Sequence, residues 1–147
     1  MADQDKHTLA VEICALDRAP VKLDAAEVTV PGALGLFVVL PGHAPLLSNI
    51  EIGELIVVQA GGRRSSFAVN SGVAQVLNNR VLVLTQTVEM DAEIDVARAH
   101  AARQRAEQRI KKQDPDIDVA RAEAALRRAL TRIKVAGKEA LPGEASH

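Results

Sequence analysis

Aromatic side chains are almost absent from this sequence. Its 147 residues include two Phe, no Tyr and no Trp. Proteins that stack nucleobases or hold cationic ligands in cages rely on aromatic faces, so neither kind of site is expected. An excess of positive charge is also lacking, because 18 basic and 19 acidic residues leave a net charge of −1. DNA-binding domains are usually strongly basic, and we therefore expect no nucleic-acid partner.

Cysteine and long apolar runs are scarce as well. Cys14 is the single cysteine, so no disulfide can form within the chain, and this usage fits a reducing compartment. The longest apolar runs are about seven residues, against the roughly 20 that a membrane-spanning helix needs. Residues 1–6 are polar and acidic, unlike a signal or transit peptide. The sequence predicts a soluble protein that works where it is made.

Motifs for catalysis and for metal binding are missing. The four His and the Cys show no metal-ligand spacing, and neither a phosphate-binding loop nor a nucleophile elbow occurs. We therefore predict no catalytic residue, no metal site and no required cofactor. His43 could act as a general base only with an orienting partner, and no such residue is near it in the sequence.

The first part of the chain has the pattern of an all-β domain. Runs rich in Val, Leu and Ile are interrupted by Gly, Pro or Asn every eight to twelve residues. Seven strands follow from this pattern: Thr8–Leu16, Ala26–Val30, Gly35–Leu40, Gly53–Gln59, Arg63–Asn70, Gly72–Leu77 and Val81–Thr85. Gly61-Gly62 and Asn78-Asn79 predict tight turns. Alternation within one strand predicts that Phe67 and Val69 are buried.

From residue 91 the composition changes to Ala, Arg, Glu and Ile, and two helices are predicted. The first covers residues 92–112 with Asp91 as N-cap; the second starts at Asp114-Pro115, ends near residue 136 and is followed by Gly137. So short a connection predicts an antiparallel hairpin. Its small, Ala-rich seam buries little area and would be weakly held, so the hairpin could detach and change partner.

The apolar residues expected on the seam lie on one face of each predicted helix. They are Ile94, Ala97, Ala101 and Ala102 on the first helix, and Val119, Ala122, Leu126, Leu130 and Ile133 on the second.

Three segments are therefore expected: a β-sandwich over residues 1–88, a helical hairpin over 89–137 and a disordered tail over 138–147. The hairpin contains an internal repeat, because Ile-Asp-Val-Ala-Arg-Ala occurs at Ile94–Ala99 and again at Ile117–Ala122. Each copy lies near a predicted helix start. The simplest interpretation is that both helix beginnings use the same capping sequence.

Two features could carry a function. The first is the loop Leu40–Ser48, in which two prolines and a glycine fix the backbone and present Leu46 and Leu47 either to a partner or to the core. The second is a set of helix arginines, of which Arg105 with Arg109 and Arg128 with Arg132 are four residues apart and share a face. Arginine forks suit phosphates or acidic protein segments, although a solvated face is the simpler interpretation for any one of them.

Several stretches, taken together, resemble the ε subunit of bacterial F-type ATP synthase. They are Val28–Gly32, Gly35, Phe37, Leu40–Ser48, Phe67–Val69, Ser71–Ala74, Ile94–Ala99 and Arg121–Ala129. The resemblance covers about residues 8–136. One departure is Val38, which stands where the family usually has glycine; a branched residue disfavours positive φ, so we expect a more regular strand there.

The resemblance implies a mainly β fold with an α appendage: a ten-stranded N-terminal β-sandwich followed by an antiparallel two-helix hairpin. It implies a non-catalytic subunit of the rotor that couples proton translocation to ATP synthesis. The sandwich would bind the γ subunit and the c-ring through a loop made of Pro41, Gly42, His43, Ala44, Pro45 and Leu46. The hairpin, when extended toward the α and β subunits, would inhibit ATP hydrolysis. The complex would place the chain at the cytoplasmic side of a bacterial inner membrane, as a peripheral subunit.

The resemblance also implies that ATP could bind the folded hairpin as a regulatory ligand. The residues that match the family's ATP site are Glu89, Ile94, Asp95, Arg98, Ala99, Arg105, Arg128 and Arg132.

Two other functions fit parts of the sequence. A stand-alone sandwich with a helical adaptor, serving another complex, would explain the composition and loops; copurification with a ring-shaped ATPase would separate it from a rotor subunit. A small enzyme using His43 is the third hypothesis, and an unchanged phenotype of His43→Ala would remove it.

Overall fold

The computed structural model of the protein describes residues 7–137, and the predicted tail at 138–147 lies outside them. Contacts divide the chain into two compact units, of which the first ends at Val88 and the second begins at Glu89. The strands are β1 (Leu9–Ala15), β2 (Arg18–Ala25), β3 (Glu27–Gly32), β4 (Gly35–Val39), β5 (Leu46–Ile50), β6 (Gly53–Val58), β7 (Arg64–Val69), β8 (Gly72–Leu77), β9 (Arg80–Thr85) and β10 (Val88–Met90). The helices are a short 3-10 helix (Asp91–Glu93), α1 (Val96–Lys111) and α2 (Val119–Val135).

Nine of the ten strands form one hydrogen-bonded path in the order β10-β7-β6-β3-β5-β8-β9-β1-β2, and β4 lies off this path, paired to β3. Neighbouring hairpin strands are antiparallel, whereas β1 pairs with β9 in parallel, from Ala10 opposite Arg80 to Ala15 opposite Thr85. At the two ends of the path, Arg18 Nη1 of β2 donates a hydrogen bond to the Val88 carbonyl of β10 at 3.3 Å. The path therefore folds over on itself as a sandwich, as the resemblance implied.

Alternating inward residues of the strands fill the sandwich core. The largest fully buried side chains there are Leu9, Ile13, Val28, Val30, Val39, Leu55, Val57, Val76, Val81 and Val83. Phe67 and Val69 are buried as predicted. Among the described residues, Thr85 is the one buried polar side chain, and its hydroxyl donates to the Asn70 carbonyl at 2.8 Å.

The turns have the predicted chemistry. Gly62 has φ +85° between β6 and β7, and Asn78 and Asn79 have φ +49° and +58° between β8 and β9. Asn tolerates this left-handed region better than most residues. Val38 lies within β4 opposite Thr29, so the strand is regular at the position where glycine was expected.

Three strands were not predicted. β2 lies at the end of the sheet path and carries Pro20 and alternating charges, so its composition is that of a loop. β5 begins inside the segment interpreted as a loop, and β10 has only three residues. Each depends on pairing with distant strands, which local patterns do not reveal.

Both helices begin later than predicted. Asp95 and Asp118 are the N-caps, and their carboxylates accept hydrogen bonds from the backbone N–H groups of Arg98 and Arg121 at 3.0 and 3.1 Å. Asp114, predicted to be the N-cap of α2, instead stabilises a turn: its carboxylate accepts from the Asp116 N–H at 3.0 Å. Near each helix start there are two Asp residues that could act as the N-cap. In both helices the Asp within the repeated sequence is the one that caps.

The predicted apolar face was right in part for both helices: Ile94, just before α1, is buried, and Ala101 and Ala102 are half-buried. In α2, Ala122 and Ile133 are buried, whereas Val119 is 51% exposed. In α1, the buried residues are Ala99 and Ala106, whereas Ala97 is exposed. An Ala-rich helix has several equally small stripes, so the sequence period alone does not select the buried one. No helix within residues 7–137 is long and apolar enough to cross a membrane.

Candidate functional site

The predicted contact loop is held rigidly between β4 and β5. Gly42 has φ +86°, and its N–H donates to the side-chain oxygen of Asn79, at the β8–β9 turn, at 2.7 Å. The His43 N–H donates to the Leu40 carbonyl at 3.0 Å, and His43 Nδ1 lies 2.6 Å from the Ala44 carbonyl oxygen. The ring thus has a structural partner, consistent with a positioning role for His43.

The loop exposes part of its surface and buries part. Gly42, Ala44 and Pro45 are exposed, and Pro41, His43 and Leu46 are half-buried. Leu46 begins β5 opposite Val76, so it belongs to the sheet, whereas Leu47 is 71% exposed. Leu46 is therefore half-buried in the sheet, and the partner contact predicted for Leu47 stays a prediction.

An apolar arm precedes the loop. Leu34, Leu36, Val38 and Leu40 alternate along the β3–β4 turn and β4, and their exposed fractions are 105%, 74%, 47% and 51%. Residues two apart on a strand share one face, so these side chains form an apolar row, here called the leucine arm. Rows of this kind on a soluble protein are typical of surfaces that a partner covers.

In the hairpin, the two copies of the repeat have the same local geometry. Each Asp caps a helix, and the Ala that ends each copy is buried at 3% or 4% exposure. The first copy places Arg98 and Ala99 in the first turn of α1, after Ile94, which is buried. Arg98 is exposed. The shared geometry follows from the sequence, because the cap and the buried small residue recur at identical spacing.

Glu89 and Arg132 meet although 43 residues separate them. Arg132 Nε donates to Glu89 Oε1 at 2.6 Å, and the two side chains are 35% and 29% exposed. Glu89 lies in β10 and Arg132 lies in the last turn of α2, so this ion pair joins the end of α2 to that strand residue. These two members of the predicted ATP set are therefore together.

The remaining arginines of that set are spread along the helices. Arg105 lies seven residues after Arg98, about 10 Å along the helix axis. Arg128 lines an open groove near the helix connection rather than the end that holds Glu89.

The groove is the part of the hairpin that sequence reasoning missed. Its lining consists of Arg109, Asp116, Ile117, Asp118, Arg121, Ala122, Ala125 and Arg128. Four of these are the Ile, Asp, Arg and Ala of the second repeat copy, Ile117–Ala122. The repeat was therefore the signal that could have located it. Among residues 7–137, no group of three His, Cys, Asp or Glu side chains is arranged to hold a metal ion.

Comparison with known proteins matches nearly the whole chain. The family model for the β-sandwich domain of the ATP synthase delta/epsilon chain covers residues 8–91, and the model for its long α-helix domain covers residues 92–137. The ATP synthase epsilon chain of Koribacter versatilis is 41% identical over 104 residues, which are 71% of this chain and 72% of that protein. The epsilon chain of Geotalea daltonii is 45% identical over 104 residues, covering 71% and 75%.

A solved structure has the same fold. It is a chain from the cryo-EM structure of the Euglena gracilis mitochondrial ATP synthase, OSCP/F1/c-ring in rotational state 1. The TM-score is 0.76 at 21% sequence identity, covering 88% of this chain and 81% of that one. At this identity the likeness concerns the fold alone.

Proposed function

Since the chain belongs to the ATP synthase delta/epsilon chain family, we propose that it contacts the γ subunit and the c-ring with its sandwich and regulates ATP hydrolysis with its helical hairpin. It is a non-catalytic, central-stalk subunit of ATP synthase. The observation that carries the proposal is the match of both family models, in order, to the two compact units. The complex would hold the chain peripherally at the cytoplasmic side of a bacterial plasma membrane.

The rotor-contact surface combines the loop of residues 41–46 with the leucine arm. The loop supplies a fixed shape, since the Gly42–Asn79 hydrogen bond and the His43 contacts hold it. The arm supplies apolar area that would lie against a partner: burying one leucine is worth about 1.5–3 kcal/mol. Leu34 is fully exposed and lies at the turn, so it is the most sensitive position for a test.

Leu34→Asp should weaken assembly with the γ subunit and the c-ring without unfolding the sandwich. Leu16→Asp is the matched control, because Leu16 is 92% exposed at a different turn, between β1 and β2. The measurement is the amount of each variant that copurifies with the synthase. Equal recovery of the two variants would contradict the proposed contact.

The hairpin is suited to a change of partner because small residues form much of its seam. Ala99 and Ala106 of α1 and Ala122 and Ala129 of α2 are buried. Alanine buries little apolar area, so the seam is held weakly per residue. An extended form of the hairpin would present its basic helices to the α and β subunits.

A chain that stops after Met90 tests this regulatory role. It keeps all ten strands, including the Val88 carbonyl that accepts from Arg18, and removes the helices. We expect an assembled synthase with a higher rate of ATP hydrolysis than the full chain gives. An unchanged hydrolysis rate in an assembled complex would count against inhibition by the hairpin.

ATP is the proposed regulatory ligand of the folded hairpin. Glu89 precedes the first repeat copy in the sequence and is paired with Arg132, and Arg98 and Arg105 carry further positive charge. Titration of the full chain with ATP, with ADP as control, should shift backbone amide signals in Glu89–Arg105 and at Arg128 and Arg132. Absence of shifts at millimolar ATP would leave these arginines as protein-facing or solvated groups.

A further inference from the structure

We propose that Asn79, in the turn between β8 and β9, is a positioning residue for the loop of residues 41–46. The two are joined by one hydrogen bond across 37 residues of sequence, in which the Gly42 N–H donates to Asn79 Oδ1 at 2.7 Å. The proposal rests on the proposed contact of this loop with the γ subunit and the c-ring. It adds that the strength of the contact depends on a residue outside the loop.

The residue type at position 79 departs from the local backbone preference. β8 and β9 are joined by two residues, Asn78 and Asn79, with Leu77 paired to Arg80 on either side. Both asparagines have positive φ, +49° and +58°, which is the pattern of a type I′ hairpin turn. Such turns favour glycine at the second position. Asn79 stands there instead, and its side chain supplies an acceptor to the loop that glycine would lack.

The two asparagines of the turn have different surroundings. Asn78 is exposed, and in the part of the chain that the structure describes its side chain makes no hydrogen bond. Asn79 is half-buried, and its backbone carbonyl accepts from the Ala10 N–H at 2.9 Å. Ala10 also begins the paired stretch of β1 and β9, opposite Arg80. Asn79 therefore ties the loop to a point that the sheet itself holds in place.

The loop end of this hydrogen bond depends on the backbone of Gly42. Gly42 is exposed and has φ +86°, and nothing lies within 4 Å of the place of an added Cβ. Its conformation, and not a lack of space, therefore requires glycine. An exposed loop that has to be ordered at the moment of binding loses affinity to that ordering. The bond to Asn79 is already made in the free chain, so it reduces this loss.

Four variants of the full chain separate the side chain of Asn79 from its backbone. Asn79→Gly keeps the positive φ and the carbonyl but removes the side-chain acceptor. Asn78→Gly is the matched control, because it makes the same change one residue earlier, where no side-chain hydrogen bond is lost. Asn79→Asp returns an oxygen acceptor to the position, and Asn78→Asp controls for the added charge.

Two measurements are needed on each variant. Amide hydrogen exchange of the isolated chain reports the order of the loop, and titration of ATP synthase stripped of this subunit reports the affinity of reassembly. In Asn79→Gly, exchange at Gly42 should accelerate while the Ala10 N–H stays protected. Its affinity should fall about threefold to tenfold relative to Asn78→Gly, the range of one neutral hydrogen bond. Asn79→Asp should recover both, which a purely structural role of Asn79 would not require.

The outcomes separate the positioning role from the contact on which it rests. Unchanged exchange at Gly42 in Asn79→Gly would overturn the positioning role, and so would faster exchange at the affinity of Asn78→Gly. Ala44→Asp changes the exposed surface of the loop itself and should lower the affinity. Loss of affinity in Ala44→Asp without loss in Asn79→Gly would overturn the positioning role alone. Normal affinity in both variants would overturn the proposed loop contact as well.

Discussion

The ion pair between Glu89 of β10 and Arg132 of α2 should hold α2 in its folded position. Its two atoms are 2.6 Å apart, and about a third of each side chain is exposed. A charge-assisted hydrogen bond contributes about 1.5–3 kcal/mol when well shielded, whereas exposed pairs contribute about 0.2–1 kcal/mol. The partial exposure places the expected coupling near 1 kcal/mol. That value corresponds to about a fivefold change in the ratio of closed to open hairpin.

A double-mutant cycle measures this coupling. Glu89→Gln, Arg132→Gln and the double variant would be compared by amide hydrogen exchange in α2, which reports the opening free energy of that helix. The single variants should each lose about 1 kcal/mol, and the double variant should lose little more than either one. In the assembled synthase the single variants should also shift the rate of ATP hydrolysis, because more hairpins are open.

The hairpin contains its own control pair. Arg103 and Glu107 are joined at 3.0 Å, but they lie four residues apart on α1 and are 41% and 38% exposed. Such a pair is worth about 0.2–0.5 kcal/mol and, since both residues are on α1, it cannot hold α2 in place. A Glu89–Arg132 coupling no larger than that of Arg103–Glu107 would refute the prediction that the Glu89–Arg132 ion pair holds α2 in place.

Three further predictions concern local features. Gly72→Ala should lower the sandwich Tm by more than about 10 °C, because the added Cβ would overlap a β9 carbonyl oxygen. Gly61→Ala is the control: its added Cβ meets open space, so the Tm should be unchanged in the same melting experiment. Asp95→Ala and Asp118→Ala should each cost about 1 kcal/mol of helix stability, because each removes an N-cap. Amide hydrogen exchange measures both losses, and unequal losses would contradict the equivalence of the two caps. Burial and a nearby carboxylate raise the pKa of Cys14, so its alkylation at pH 8 should be slower than after unfolding in urea and should accelerate as the pH rises further.

The sequence allowed much of the fold to be predicted, and the failures have physical causes. Tight turns depend on local backbone preference, and Asn78 and Asn79 adopt the expected left-handed conformation. Strand β2 depends on pairing with β1, and its charged, Pro-containing sequence shows no local signal for that pairing. The helix starts were predicted four residues too early, because Asp91 and Asp114 also have the side chain of an N-cap. The observed N-caps are Asp95 and Asp118.

The site was less predictable than the fold. Composition and spacing identified arginines as candidate binding residues. Their spacing along the sequence did not show which of them share a surface in the folded hairpin. Arg128 lies with Arg109 and Arg121 in the groove, whereas Arg132 is occupied by Glu89. Such groupings depend on how the two helices face each other, and small alanine side chains permit several arrangements of nearly equal burial.

The parallel pairing of β1 with β9 also determines the order in which the protein can fold during synthesis. Residues 9–15 pair locally with β2, but the other edge of β1 waits for residues 80–85, so this edge of the first hairpin is among the last to be covered. Pairings this distant in sequence close slowly, and an unpaired strand edge is prone to aggregation in the meantime. The hairpin that follows has mostly local contacts and would form rapidly once it emerges. On the nascent chain, this aggregation-prone edge is therefore covered once β9 has been made.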